Sequence, residues 1–119
     1  MTTWSPALLE GNEMKYMIEY SVRTAGLSHN ENFANQEALL NAFGKWEPEK
    51  GLTVHAFVSH LNSDSGYVLV EADDPKVVAS FVSKFIYWND VNVVPVVDVA
   101  EIVAINQESL AWARAASSS

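Results

Sequence analysis

The chain has 119 residues, with 7 Lys and Arg against 15 Asp and Glu, a formal charge of -8, and no cysteine. That length fits one domain, and an apolar share of 49% excludes a disordered chain. Without cysteine there is no disulfide framework, thiolate zinc site, iron–sulfur cluster or cysteine nucleophile, and the acidic excess makes a poor nucleic-acid binder.

Residues 1–13 read as a flexible leader, with residues 14–116 as the single folded domain and 117–119 as a frayed tail. The leader lacks a basic start, and Ala7-Leu8-Leu9 is too short for a signal peptide. The longest apolar region, 91–105, is interrupted by Asn92, Pro95, Asp98 and Glu101, whereas a membrane span needs roughly 20 apolar residues. A cytoplasmic protein without membrane contact is the expectation.

Met14 to Arg23 alternates with period two, Tyr16, Ile18, Tyr20 and Val22 on one side, and predicts a strand. Ser28 to Lys45 predicts a helix. Ser28 with Glu31 fits a capping box, with Asn30 and Asn32 as alternative caps, and Phe33, Leu39, Leu40, Phe43 and Trp46 recur near helical spacing. Thr53 to His60 is a second strand, Asn62 to Gly66 a hairpin loop, and Tyr67 to Ala72 a third strand. Asp74-Pro75 opens a second helix, since Asp caps and Pro suits the first helical turn. Val91 to Val97 is a fourth strand, and Asp98 with Glu101 opens a C-terminal helix.

The order β-α-β-β-α-β plus a helix is the ferredoxin-like arrangement, an α+β fold. Right-handed crossovers give an antiparallel sheet of order 4-1-3-2 with two helices on one face. Ile18, Val54, Ala56, Val58, Val68, Val70 and Ala72 form the predicted helix-packing face. Met17, Glu19, Ser21, His55, Phe57, Ser59, Tyr67, Leu69 and Glu71 form the other. That second face is too apolar for full solvation and too charged for a core. Packing it on the same face of a second copy makes a dimeric α+β barrel with a lumen, C2 dimers being the commonest soluble oligomers. A monomer with a wet sheet is the alternative.

Four segments carry a family resemblance: Met14-Lys-Tyr-Met-Ile-Glu-Tyr-Ser; Ala42-Phe-Gly-Lys-Trp46-x-Pro48-x-x-Gly51-x-Thr-Val-His-Ala-Phe57; Gly66-Tyr-Val-Leu-Val-Glu71-Ala-Asp-Asp74-Pro; and Val93-Val-Pro95-Val-Val-Asp98-Val. Together they resemble the bacterial domain-of-unknown-function family 3303, over about residues 14–110. The resemblance implies a place among the dimeric ferredoxin-like α+β barrels and a homodimer. It implies no activity.

Glu19, His55 and Glu71 are the candidate acid/base residues. Two carboxylates sharing a poorly hydrated lumen repel, so one tends to hold a proton. The alternative is that they pair with Lys15, Arg23 or a partner chain. Met17, Phe57, Tyr67 and Leu69 are the candidate walls for a small apolar or aromatic ligand. Trp46, Tyr87 and Trp88 sit at helix ends, as core stops or as a pocket mouth. His55 and His60, five apart, are expected on opposite faces, and no metal-ligand motif is present. No nucleotide-binding motif occurs either, so no cofactor is expected. Two functions follow: a ligand site in the lumen, with or without cofactor-independent acid/base chemistry, or a non-catalytic binding or regulatory dimer whose interface is filled by side chains.

Overall fold

The computed structural model describes residues 14–24 and 26–118; the expected leader lies outside them. The elements are β1 (Met14–Val22), α1 (His29–Lys45), β2 (Thr53–Ser59), β3 (Ser65–Ala72), α2 (Pro75–Ser83), β4 (Asn89–Val96) and α3 (Val99–Ser117). The four strands form one antiparallel sheet of order β2-β3-β1-β4, the predicted order read from the other edge.

Local chemistry sets the helix starts. Ser28 Oγ accepts from the Glu31 N–H at 3.1 Å while the Glu31 carboxylate accepts from the Ser28 N–H at 2.9 Å, so the capping box selects Ser28 over Asn30 and Asn32. Asp74 Oδ1 accepts from the Lys76 N–H at 2.9 Å, with Pro75 in the first turn. At α3 the Glu101 carboxylate accepts from the Asp98 N–H at 3.1 Å, and Lys15 Nζ reaches Asp98 Oδ1 at 2.7 Å. That bond comes first in raising the Lys15 ammonium above its ordinary pKa.

The core lies between the sheet and α2. Ile18, Val68, Val70 and Ala72 are buried under Val78 and Phe81, with Tyr16 and Leu52 at the margins. The other two helices are different. Neither α1 nor α3 buries a single residue. Val103, Leu110 and Trp112 of α3 are 48%, 54% and 72% exposed.

One expectation about the sheet faces is corrected. β2 carries an irregularity between Val54 and Ala56: Val54 pairs with Val70, but Ala56 pairs with Leu69 and Phe57 with Val68. The extra residue, His55, reverses the alternation of everything after it. Phe57 therefore lies on the helix side, 5.4 Å from Phe43, 5.9 Å from Tyr20 and 6.4 Å from Phe81 between ring centroids. Ala56 and Val58 move to the open face and are exposed. His60 moves there too, 5.5 Å from Tyr67, so His55 and His60 share a face.

Candidate functional site

No residue of α1 is fully buried, and an apolar cleft of about 300 Å³ lies beneath the helix. Leu39, Leu40 and Phe43 of α1 form the roof. Ile18, Tyr20, Phe57, Val68 and Val91 form the floor, and Phe81, Val82 and Phe85 the side wall. The aromatic rings of the walls contact one another, Phe43 and Phe85 tilted at 6.2 Å and Phe81 and Phe85 edge-on at 5.8 Å. Among the described residues, the lining includes no Asp, Glu, Lys, Arg or His. Its polar side chains are Tyr20, Gln36, Ser59, Ser63 and Asn89.

Tyr20 donates to the Val58 carbonyl at 3.1 Å. Burial pushes its phenol above the ordinary pKa, partly offset by Ser59, so Tyr20 is a neutral donor at physiological pH. Asn89 is 4% exposed and held on three sides. Its backbone N–H and its Nδ2 both donate to the Phe85 carbonyl, at 3.1 and 3.0 Å, and its own carbonyl accepts from Arg23 Nη2 at 2.9 Å. Asn89 Oδ1 is buried without a hydrogen-bond partner among the described residues.

The C-terminal end of α1 is braced by Glu49. Its carboxylate accepts from Trp46 Nε1 at 3.1 Å and from Lys84 Nζ, and Trp46 stacks obliquely 4.9 Å from Phe81. Burial works to raise the Glu49 carboxyl, but the bonds from Lys84 and Trp46 outweigh it and leave the pKa below its ordinary 4.5. The stabilisation is therefore complete above pH 4.5 and is lost as pH falls through the lowered folded value. Glu49→Gln is expected to cost about 1–2 kcal/mol at pH 7, since bonds to a charged acceptor are the stronger kind. Its urea midpoint should change less than wild type between pH 5 and about pH 3, which equilibrium unfolding at each pH measures.

The acid/base residues expected from sequence lie on the open face, where His55 and Glu71 meet and Glu19 stands apart from them. His55 Nε2 is 2.6 Å from Glu71 Oε1. Glu19 instead accepts from Asn92 Nδ2 at 3.0 Å. Glu71 pairs across the ladder with Lys15, and Glu19 with Tyr67. Along the ladder the two residues are offset by four positions, about 13 Å of backbone at about 3.3 Å per residue. Met17 and Leu69, a cross-strand pair, stand between them, half-buried. Glu19 and Tyr67 share an open groove with His60, Asp90 and Asn92. Trp88 belongs to neither depression; it is half-buried ahead of β4, 6.1 Å from Tyr87. No cluster of three or more His, Asp or Glu placed to hold a metal ion occurs among the described residues. No helix among them is long and apolar enough to cross a membrane.

The βαββαβ order, the 4-1-3-2 sheet and the four motif segments all fall within one family match: a domain of unknown function (DUF3303) covers residues 14–110. The chain belongs to the DUF3303 family. No curated protein and no solved structure matches it significantly. Within this DUF3303 domain, sequence reasoning missed Asn89 because Asn89-Asp90 has the composition of a helix stop. The cleft is not legible from spacing, because alternation identifies a helix-packing face without saying how closely the helix packs on it. The run of aromatics Phe43, Trp46, Phe57, Phe81 and Phe85 was the available signal.

Proposed function

We propose that the protein is a homodimeric binding protein that takes a small apolar or aromatic molecule into the cleft beneath α1 of each copy. The cleft carries the reading: about 300 Å³ of apolar, aromatic-walled space with a few polar groups is the ordinary form of a small-molecule site. This moves the ligand from the barrel lumen to the helix side of the sheet. The open face then serves the dimer. Met17, Leu69 and Val94 on that face, and Val103 and Leu110 of α3, are the apolar groups a second copy would cover, at about 25 cal/mol per Å² of apolar area removed from water. Completing a barrel in this way fits a fold whose third helix buries no residue among the described residues.

Acid/base chemistry is the weaker part of the earlier expectation. Glu19, His55 and Glu71 are on the other side of the sheet from the cleft, and each is already bonded to a neighbour. Tyr20 is the titratable side chain in the cleft lining. Binding without turnover therefore suits the geometry best.

Indole is a suitable neutral probe of this size. Millimolar indole is expected to raise the Tm by several degrees, because a ligand that binds only the folded state stabilises it by mass action. Light scattering should give the mass of two chains with and without indole. A panel of neutral aromatics that leaves the Tm unchanged would overturn the ligand reading, and a single-chain mass would overturn the dimer.

A further inference from the structure

We infer that the occupant of the cleft is an uncharged molecule with two unlike ends: an aromatic ring held against α2 and, a short chain away, a hydroxyl at the β2–β3 hairpin. The inference rests on the cleft being a ligand site and goes further by naming the class of molecule and the way it lies. Two rungs of the sheet make up the floor, and their chemistry differs. Phe57 on β2, Val68 on β3 and Ile18 on β1 stand opposite one another. The next rung toward the hairpin is Ser59, Gly66 and Tyr20. The first is apolar throughout; the second carries two hydroxyls.

The roof follows the same gradient. Phe43 lies 5.4 Å from Phe57, and Trp46 just beyond the end of α1 lies 4.9 Å from Phe81, so the C-terminal end of the helix covers the apolar rung. Gln36 is about two turns earlier, roughly 10 Å at about 1.5 Å per residue. That places it toward the hairpin, because β1 ends there, with the Val22 N–H donating to the Asp64 carbonyl at 2.8 Å, and a short loop leads from it into α1. Gln36, Ser59 and Ser63 all line the cleft and are exposed, so the polar end is also the end open to solvent.

The two hydroxyls of the polar rung favour a donor. Tyr20 donates to the Val58 carbonyl and Ser59 Oγ to the His60 carbonyl at 2.8 Å. With both protons committed, these oxygens have lone pairs left to accept with. A ligand hydroxyl has a proton to give them, and a carboxylate has none. An ammonium group could donate, but among the described residues no carboxylate lines the cleft to offset its lost hydration. The rungs are two residues apart, about 7 Å at about 3.3 Å per residue, which a three-carbon chain between ring and oxygen spans.

Three compounds of one length test this: 3-phenylpropan-1-ol, 3-phenylpropionate and 3-phenylpropylammonium. Calorimetric titration of the wild-type chain is expected to show the alcohol binding about tenfold or more tighter than either ion. Gln36→Lys sets a cation at the polar end, at an exposed helix position where folding is not at stake. It should bind the carboxylate about threefold to fivefold tighter than wild type does, the worth of an exposed ion pair, with the alcohol little changed. Gln36→Glu should give no such gain. An ion that binds wild type as tightly as the alcohol would overturn the uncharged class, and no gain in Gln36→Lys would overturn the orientation, while either leaves the cleft a ligand site. Binding of none of the three would instead remove the cleft reading itself.

Discussion

Phe81→Ala is expected to destabilise the protein by about 3–5 kcal/mol, the usual range for deleting a buried phenyl ring. Phe81 is 3% exposed and stands where α2, β2 and the end of α1 meet. Its ring lies 4.9 Å from Trp46, 6.4 Å from Phe57 and 5.8 Å from Phe85. Removing it leaves a void that these three aromatics cannot fill by small shifts, since each is held by a further neighbour. A domain of this size is typically stable by only about 5–15 kcal/mol, so a large part of the folding free energy is at stake. Urea unfolding should show the loss as a lower midpoint with an unchanged slope. Phe33→Ala is the matched control: Phe33 is exposed on α1 and its removal should matter by less than about 0.5 kcal/mol. Similar losses for both variants would mean that the aromatic cluster is not the core of the fold.

Gly66→Ala is expected to be as damaging, by a different route. Gly66 lies in the central strand β3, opposite Tyr20 on β1 and Ser59 on β2. A Cβ there would lie 2.6 Å from Tyr20 Cζ and would overlap both the Tyr20 hydroxyl and the Val58 carbonyl oxygen. Rotating the phenol ring does not relieve the overlap with the Val58 carbonyl, which belongs to the strand itself and accepts from the Tyr20 hydroxyl. Relief requires β2 to separate from β3 at the hairpin end. The loss should be about 3 kcal/mol or more, at the high end of what overpacking costs. Amide exchange should rise first along Val58–Ser59 and Ser65–Tyr67. Wild-type exchange in that segment would show that the chain accommodates the methyl group, contrary to this packing.

The sequence pattern carried the fold well and the site poorly, for identifiable reasons. Period-two alternation in Tyr16-Met-Ile-Glu-Tyr20 and in Val68-Leu-Val-Glu-Ala72 is unambiguous, because these strands pair without interruption. Ser28 with Glu31 and Asp74 with Pro75 are short-range signals whose partners lie within three residues, so they were legible too. Thr53 to Ser59 was not. Val54, Ala56 and Val58 fit one face by simple alternation, and nothing local in Val-His-Ala-Phe announces that His55 is skipped by the ladder. One residue of slip transferred Phe57 from the open face to the cleft. The spacing of the carboxylates is hard to read for a related reason. Sequence spacing placed Glu19 and Glu71 on one face, which is correct, but their separation depends on the register of β1 against β3. Asn89 is a tertiary feature altogether: its unpartnered oxygen exists only because Phe85 and Arg23 hold the residue from either side.

The central claim is that the ligand enters beneath α1 and not the open face of the sheet. Titrating indole into methyl-labelled protein tests it most directly, because the two faces carry separate reporters. Leu39, Leu40, Val82 and Val91 line the cleft, while Met17, Leu69 and Val94 mark the open face. The account predicts saturable shifts in the first group, with the second unmoved. Shifts confined to Met17, Leu69 and Val94 would contradict it and return the site to the lumen between two copies.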